Sequence, residues 1–432
     1  MKKYLLLISI CLFTVGLKAQ EKSESSYRFT LEDCVSYALD KNYNRQSLKL
    51  GEESMAESYA QSKSERLPSL SASASENFKN TKNDHSWNGS YGISTDITLF
   101  QGGSINHNIE QNKLQMEQAS YQTTQYENDL TIQILQSFIS ILGNEELMKY
   151  QEAVVKTSEE QLSQGREQFK VGQILESDYL MLEAQHANDL NNIVETRISR
   201  SNNLITLKGL LSMDPEVDLQ IVHPDTSVIS RLAVLPAQTY VVERTMAYLP
   251  DLKVSQYNVD IATVGIKQSK SSYYPTISLG ASVGTGHVNN YSNFGTQLSD
   301  QLNEQVGVTV SIPIFNKNRT KTNVAKSRIA LKQAELDKKQ TELTVKQNIS
   351  QEYQNVVSAY NKYNVADIRQ NAYLKTFEAY SAQFNLGAIT AVDLLQQQNN
   401  YISALNDYIQ GKYNFILSRK VLDVYMGEQV SM

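Results

Sequence analysis

The sequence predicts a mainly α-helical chain with a small β part, built as an internal two-fold repeat. Three observations carry this. First, "FKVGQILESDYL" from Phe169 and "FNLGAITAVDLL" from Phe384 share Phe, Gly, Ile, Asp and Leu in register, each pair 215 residues apart. Second, long polar-apolar runs with almost no Pro or Gly surround both stretches; the whole chain has 7 Pro in 432 residues. Third, four short segments alternate apolar and small polar residues, two in each copy.

Taken in chain order, "MKKYLLLISICLFTVGLKAQ" reads as a secretory signal peptide over residues 1–19, with basic Lys2 and Lys3, an apolar run and Leu17-Lys18-Ala19 as the cleavage site. The apolar run is too short to span a membrane. Its removal takes away three lysines and leaves a chain more acidic than the formal −6 of the whole sequence, which disfavours nucleic acid as a partner. It also leaves Cys34 as the one cysteine, so no intrachain disulfide is expected. No other run approaches the length of an apolar membrane helix.

The first repeat is expected over 20–213. A helix opens at Thr30 in "TLEDCVSYAL", with Thr30 and Asp33 fitting a capping box, and runs to about Leu67. A β-hairpin follows over 68–100. Then comes one unbroken helix to about Gln168, roughly 100 Å long at 1.5 Å per residue. Its seam, Leu130, Ile134, Phe138 and Ile141, steps by helical spacing. A turn at 169–178 and a returning helix, Leu175 to Leu211, close the copy. Residues 214–238, with Pro215, Pro224 and Pro236, read as a linker with little regular structure. The second repeat, 239–427, repeats the order: a hairpin over 275–315, a long helix from about Lys317 to Gln383, a turn at 384–393 and a helix to Met426. Val345, Ile349, Tyr353 and Val356 repeat the seam. The second hairpin is longer by residues assigned to the loop between Gly284 and Asn303.

In the strands, Val306, Val308, Val310, Ile312 and Ile314 oppose Gly307, Thr309 and Ser311, and Leu70, Ala72 and Ala74 oppose Ser69, Ser71, Ser73 and Ser75. Alternation alone fits either a soluble hairpin on a helix or a membrane strand. The leader, the ten-residue length and a girdle of Phe100, Phe315, Tyr273 and Tyr274 favour the membrane. Four strands cannot close, and an open edge in lipid leaves backbone groups unpaired, so chains must associate. Three chains would give twelve strands and room for water.

At this point the chain resembles the TolC family of outer-membrane efflux channels. The resemblance rests on "TLEDCVSYALDKN", "RLPSLSAS", "YLPDL", "YYPTISLGAS" and the two tip stretches, in that order and duplicated, over nearly the whole mature chain. It implies a homotrimer in the outer membrane, with a twelve-strand β-barrel and coiled-coil helices forming an α-barrel through the periplasm. It implies an exit duct of a tripartite efflux system, taking substrate from an inner-membrane transporter through a periplasmic adaptor. A type I protein-secretion duct and a non-conducting periplasmic coiled-coil scaffold are the alternatives. The paired tip turns are then adaptor-contacting, through Phe169, Val171, Gly172, Phe384, Leu386 and Gly387. Asp393, Gln396, Asp178 and Ile389 fall at the pore or gate. Asp393 carries two readings: a ring of carboxylates in a trimer, or a helix cap paired with Thr390. The sequence departs from the family's best-known members where Gln396 replaces a second acid and where Ile389 and Phe384 stand at the positions of an Arg and a Tyr that tether the tip. Apolar packing is expected to hold the tip instead.

No enzyme is expected: there is no phosphate-loop motif. His85, His107, His186, His223 and His287 are not at metal-ligand spacing, so neither metal nor cofactor is expected. Cys34 reads as a packed thiol, Tyr353, Tyr360 and Tyr363 as seam residues, and Trp87 as a lone loop aromatic.

Overall fold

The structure is a computed structural model that describes residues 27–82, 84–223, 232–288 and 293–428. The expected signal peptide lies outside the described residues. The first copy comprises β1 (Tyr27–Phe29), α1 (Leu31–Lys41), α2 (Tyr43–Ser64), β2 (Ser69–Thr81), β3 (Asp84–Gln101), α3 (Ser104–Lys170) and α4 (Glu176–Leu210). After β4 (Leu219–Ile221) the second comprises α5 (Gln238–Tyr248), α6 (Pro250–Ser271), β5 (Thr276–Val288), α7 (Phe294–Asp300), β6 (Asn303–Ser311), α8 (Arg319–Asn385) and α9 (Ala391–Tyr425).

The helices common to both copies match residue for residue in length. α3 and α8 each have 67 residues, α4 and α9 each have 35, α2 and α6 each have 22, and α1 and α5 each have 11. At 1.5 Å per residue α3 and α8 are about 100 Å long. Backbone conformation obeys the same register. Every residue with positive φ among those described has a partner 215 positions away: Gly102 with Lys317, Gly103 with Asn318, Gly172 with Gly387, and Ser212 with Gly427. Lys317 and Ser212 adopt a left-handed turn that glycine adopts at no steric cost, so the architecture imposes the conformation and the residue follows. At Gly102 the cost of a side chain is clear. An added Cβ would lie 2.6 Å from the Ser271 carbonyl oxygen and 2.7 Å from Tyr274 Cβ, where the strands join the helices.

One expectation needs correction. The helix expected to run unbroken from Thr30 to Leu67 is two helices. The Thr30–Asp33 capping box is present and starts α1, but the chain turns at Asn42. Asn42 is extended (ψ 123°), caps α2 by accepting from the Arg45 N–H at 3.0 Å, and donates to the Leu210 carbonyl at 2.9 Å. The second copy breaks at the matching place, Leu249 (ψ 125°), where Pro250 occupies the first helical position and needs no N–H partner. Within 214–238 the described regular structure is short: the three-residue β4 pairs in parallel with β1, Tyr27 opposite Leu219.

These short elements wrap the middle of the long helices. Leu31, Cys34 and Ala38 of α1, Val241 of α5 and Leu219 of β4 join Leu130, Ile134, Phe138 and Ile141 of α3, Ile349 and Val356 of α8, and Phe415 and Leu422 of α9 in one buried apolar cluster. This belt is the main core. Cys34 is fully buried, and burial, then Asp33 and Glu32, push its thiol up to about 12, so it packs rather than reacts. No helix among the described residues is long and apolar enough to cross a membrane.

Candidate functional site

The four long strands form one antiparallel sheet in the order β2-β3-β5-β6, open at both edges. The register sorts its two faces. Ser71, Ser94 and Ser282 lie side by side, as do Ser69, Asp96, Gly280 and Gly307. The opposite face sets Ala72, Ile93, Val283 and, nearer the helices, Ile97, Leu279 and Val308 in rows. Leu70, Val306 and Val308 are 78%, 76% and 62% exposed, so this apolar face has no cover within the chain. A bulge at Leu99 shifts the register between β3 and β5.

The expected ten-residue strands are exceeded in β2, β3 and β5, of 13, 18 and 13 residues, because pairing continues past the apolar stretch: Glu76 to Thr81 pair with Gly89 to Asp84, and Thr285 to Val288 with Tyr91 to Asn88. β6 stops at Ser311 with 9 residues, short of Ile312 and Ile314, since Pro313 offers no N–H. Tyr273, Tyr274, Phe100 and Phe315 are all exposed at the sheet end that meets the helices. At the far end Trp87 is not a lone loop aromatic. It lies in β3, donates its indole N–H to Glu76 at 2.8 Å, and stacks edge-on to buried His287, which also contacts Glu76 at 3.1 Å. His287 lies across Gly89, where a Cβ would come within 2.5 Å of its Nε2. Tyr91 and Phe294 of α7 complete the cluster. Only the cross-strand register, invisible to local reading, brings these residues together.

At the opposite pole the two tip turns are built alike. α3 ends with the Gly172 N–H donating to Phe169 O at 3.0 Å and the Gln173 N–H to Gln168 O at 2.8 Å; α8 ends with Gly387 to Phe384 O at 2.9 Å and Ala388 to Gln383 O at 3.0 Å. Both are Schellman ends, with glycine in the left-handed position at φ 73° and 71°. The turns meet: a cleft of about 450 Å³ is lined by Gly172, Asp178, Phe384, Gly387, Ile389 and Asp393 among others. An added Cβ on Gly387 would sit 3.0 Å from Gln173 Nε2 of the other turn.

The copies differ in how the next helix starts. Asp393 closes a capping box with Thr390: Thr390 Oγ1 donates to Asp393 Oδ2 at 2.7 Å, and the Asp393 N–H donates back to Oγ1 at 3.3 Å. Asp178 lies in the first turn of α4, whose N-cap Leu175 has no side-chain acceptor. Asp393 and Gln396 are exposed, and Gln396 donates to Asn400 Oδ1 at 3.3 Å. Val171 and Leu386 at the turn apices are 76% and 82% exposed. Phe384 is a correction to the expected partner surface. It is 1% exposed, packed with Leu182, Ala391, Leu394 and Leu395 and flanked by Ile389, so its ring is not available to a partner. Phe169 stacks on Tyr179 with centroids 5.7 Å apart and planes 10° off parallel.

Above the tip, α3, α4 and α9 are joined by polar groups that the sequence reading missed. Asp189 is 2% exposed and accepts from Gln185 Nε2 at 2.8 Å and from Gln398 Nε2, across from α9, at 3.2 Å. Burial drives its carboxyl above the usual range, offset in part by hydrogen bonds from Gln185 and Ser158 and by the nearby His186. Ser158 of α3 contacts His186 Nδ1 at 3.1 Å. Gln161 is buried with neither amide atom partnered among the described residues. The available signal was polar residues standing at seam positions of otherwise amphipathic helices. Among the described residues no group of three or more His, Cys, Asp or Glu could hold a metal.

The model of the family described as outer membrane efflux protein matches residues 35–212 and 241–428, both copies of the repeat. The outer membrane protein TolC of Escherichia coli K12 is 23% identical over 386 residues, 85% of this chain and 76% of its own length. The outer membrane efflux protein BepC of Brucella suis is 22% identical over 396 residues, 91% of this chain and 84% of its own. Among solved structures, CusC superposes with a TM-score of 0.80 at 14% identity, covering 92% of each chain, which is a likeness of fold.

Proposed function

Since this chain belongs to the outer membrane efflux protein family, a family of outer-membrane ducts and not of enzymes, we propose that three copies close a twelve-strand barrel and form a passive exit duct. The carrying observation is a four-stranded sheet with two open edges, one apolar face and one Ser/Gly face, mounted on helices about 100 Å long. In lipid each open edge would leave backbone donors and acceptors unpaired, at several kcal/mol apiece, so the sheet must meet other copies. Turned outward, the apolar rows face lipid; turned inward, Ser71, Ser94, Ser282 and Asp96 line a wet lumen. Tyr273, Tyr274, Phe100 and Phe315 form the girdle on the periplasmic side.

The helices carry the lumen through the periplasm to the tip turns. Val171 and Leu386, with the backbone at Gly172 and Gly387, present the surface that a periplasmic adaptor protein grips. An inner-membrane transporter supplies the energy. Asp393 of three copies forms the acidic constriction, with Asp178 beside it in the same cleft and Ile389 packed behind. Opening separates the turns, a bistable step biased by the adaptor.

The test is single-channel conductance of the detergent-purified protein in a planar bilayer, wild type against Asp393→Asn. Stepwise, cation-preferring openings whose preference or divalent block weakens in the variant are expected. Openings that Asp393→Asn leaves unchanged would reduce this carboxylate to a helix cap. Inserted trimers that stay silent even with the tip loosened by Phe384→Ala would overturn the duct.

A further inference from the structure

A second cleft lies above the tip, between α3 on one side and α8 and α9 on the other, with a volume of about 500 Å³. That is within the range of small-molecule sites, roughly 300–1,000 Å³. Phe377 and Tyr401 stand in its wall as a parallel pair, centroids 5.8 Å apart and planes 5° off parallel. Tyr150 and Leu374 add apolar surface opposite and beside them. Glu378 is the one carboxylate among the lining residues, and no lysine or arginine lines the cleft. Gln398 also lines it. Gln398 is 1% exposed, its Nε2 is committed to Asp189, and its Oε1 has no hydrogen-bond partner among the described residues. A buried amide oxygen without a donor is costly, and a ligand N–H would relieve it.

We propose that this cleft binds a planar aromatic cation that carries N–H donors. A flat ring slides against the Phe377–Tyr401 pair, the positive charge pairs with Glu378, and an N–H reaches the free Gln398 oxygen. Each element of the site selects for one part of that chemistry. Aromatic faces attract cations as well as rings. The lone carboxylate disfavours anions, and the unpartnered acceptor favours an amine over a methylated analogue. The site is coupled to the coil joint, because Gln398 is the residue that holds Asp189 of α4. A bound cation therefore sits on the contact through which α9 is held to α4.

The probe is ethidium, which has a flat ring system, one positive charge and two free amines. Its fluorescence anisotropy is titrated with the detergent-purified full chain. Saturable binding is expected, weakened about fivefold to tenfold by Glu378→Gln, a loss on the scale of a single charge or cation–π contact. Ala153→Trp, a substitution on the rim that fills the cleft, should abolish it. Glu335→Gln, on the same helix but away from the cleft, should leave affinity unchanged. Binding that Glu378→Gln leaves at wild-type affinity, or that survives Ala153→Trp, overturns the proposal. So does a loss of the same size in Glu335→Gln, which would mark general attraction of a cation to an acidic chain. Circular dichroism and migration of the assembled protein on an unheated gel establish that each variant is folded.

Discussion

The same four helices are held in two different ways along their length. At the belt, α3, α4, α8 and α9 meet in a continuous apolar core reinforced by α1, α5 and the β1–β4 pair, with Phe138, Ile134, Leu135 and Phe415 all at 0–1% exposure. Near the tip the apolar contacts shrink to Phe384, Leu182, Ala391, Leu394 and Leu395. Between the two lie buried Ser158, Gln161, Asp189 and Gln398. A dry core resists separation because every shifted side chain loses packing. Polar joints over short contacts can exchange partners with water. The contrast makes the tip the less densely packed end of the helices, where local opening is expected to cost less than at the belt.

Truncating an aromatic ring should separate belt from tip most visibly. Phe138→Ala removes a ring from the belt and should cost about 3–5 kcal/mol. Phe384→Ala removes the same ring from the tip. Global thermal unfolding in detergent should fall steeply for the first and little for the second. Limited proteolysis at the turns should rise for the second alone. Equal loss of melting temperature in both would mean that belt and tip unfold as one unit.

A smaller effect comes from the polar joint. Burial raises the Asp189 pKa in the folded chain, so the folded state holds its proton more tightly than the unfolded state does. The joint is therefore strongest below the ordinary carboxylate range and weakens as pH rises through the raised folded value. Asp189→Asn keeps an acceptor for Gln398 without the charge. It should slow hydrogen exchange in α4 and α9 near the joint at neutral pH and flatten its pH dependence. Exchange that speeds up in the variant would show that the charged form is the stabilising one.

The smallest effect tests the difference between the two turns. Thr390→Ala removes one arm of the capping box and should cost about 1 kcal/mol, confined to the first turn of α9. Ser177→Ala in the other copy, where no capping box exists, should do nothing measurable by the same local exchange.

Much of the fold was legible because it is local and said twice. The long helices follow from their apolar spacing, the turns from Gly172 and Gly387, and both caps from Thr–Asp pairs three residues apart. The kink at Asn42 was not legible. Its meaning lies in a hydrogen bond to Leu210, 168 residues on, and its counterpart Leu249 shares no chemistry with it. The β1–β4 pair escaped because three residues carry no period. At the tip, the residue types were readable but their exposure was not. Phe384 and Phe169 stand at matching places, yet one is enclosed and the other stacks at the surface. The Asp189–Gln398 joint and the Glu76–His287–Trp87 cluster join residues 209 and 211 apart in sequence, which no window of single-chain pattern can see.

The open edges of the sheet also bear on inheritance. β2 lies at one edge and β6 at the other, so closing a barrel seats the last strand of each copy against the first strand of the next. A copy damaged along β6, for instance by proline in place of Val308, would still offer a sound β2 to its neighbour and be taken into the ring. In a cell expressing both forms, most rings of three would contain at least one such copy and fail to close. A lesion confined to one edge should thus behave as a dominant allele, whereas a lesion in the belt, which prevents the chain from folding, should be recessive.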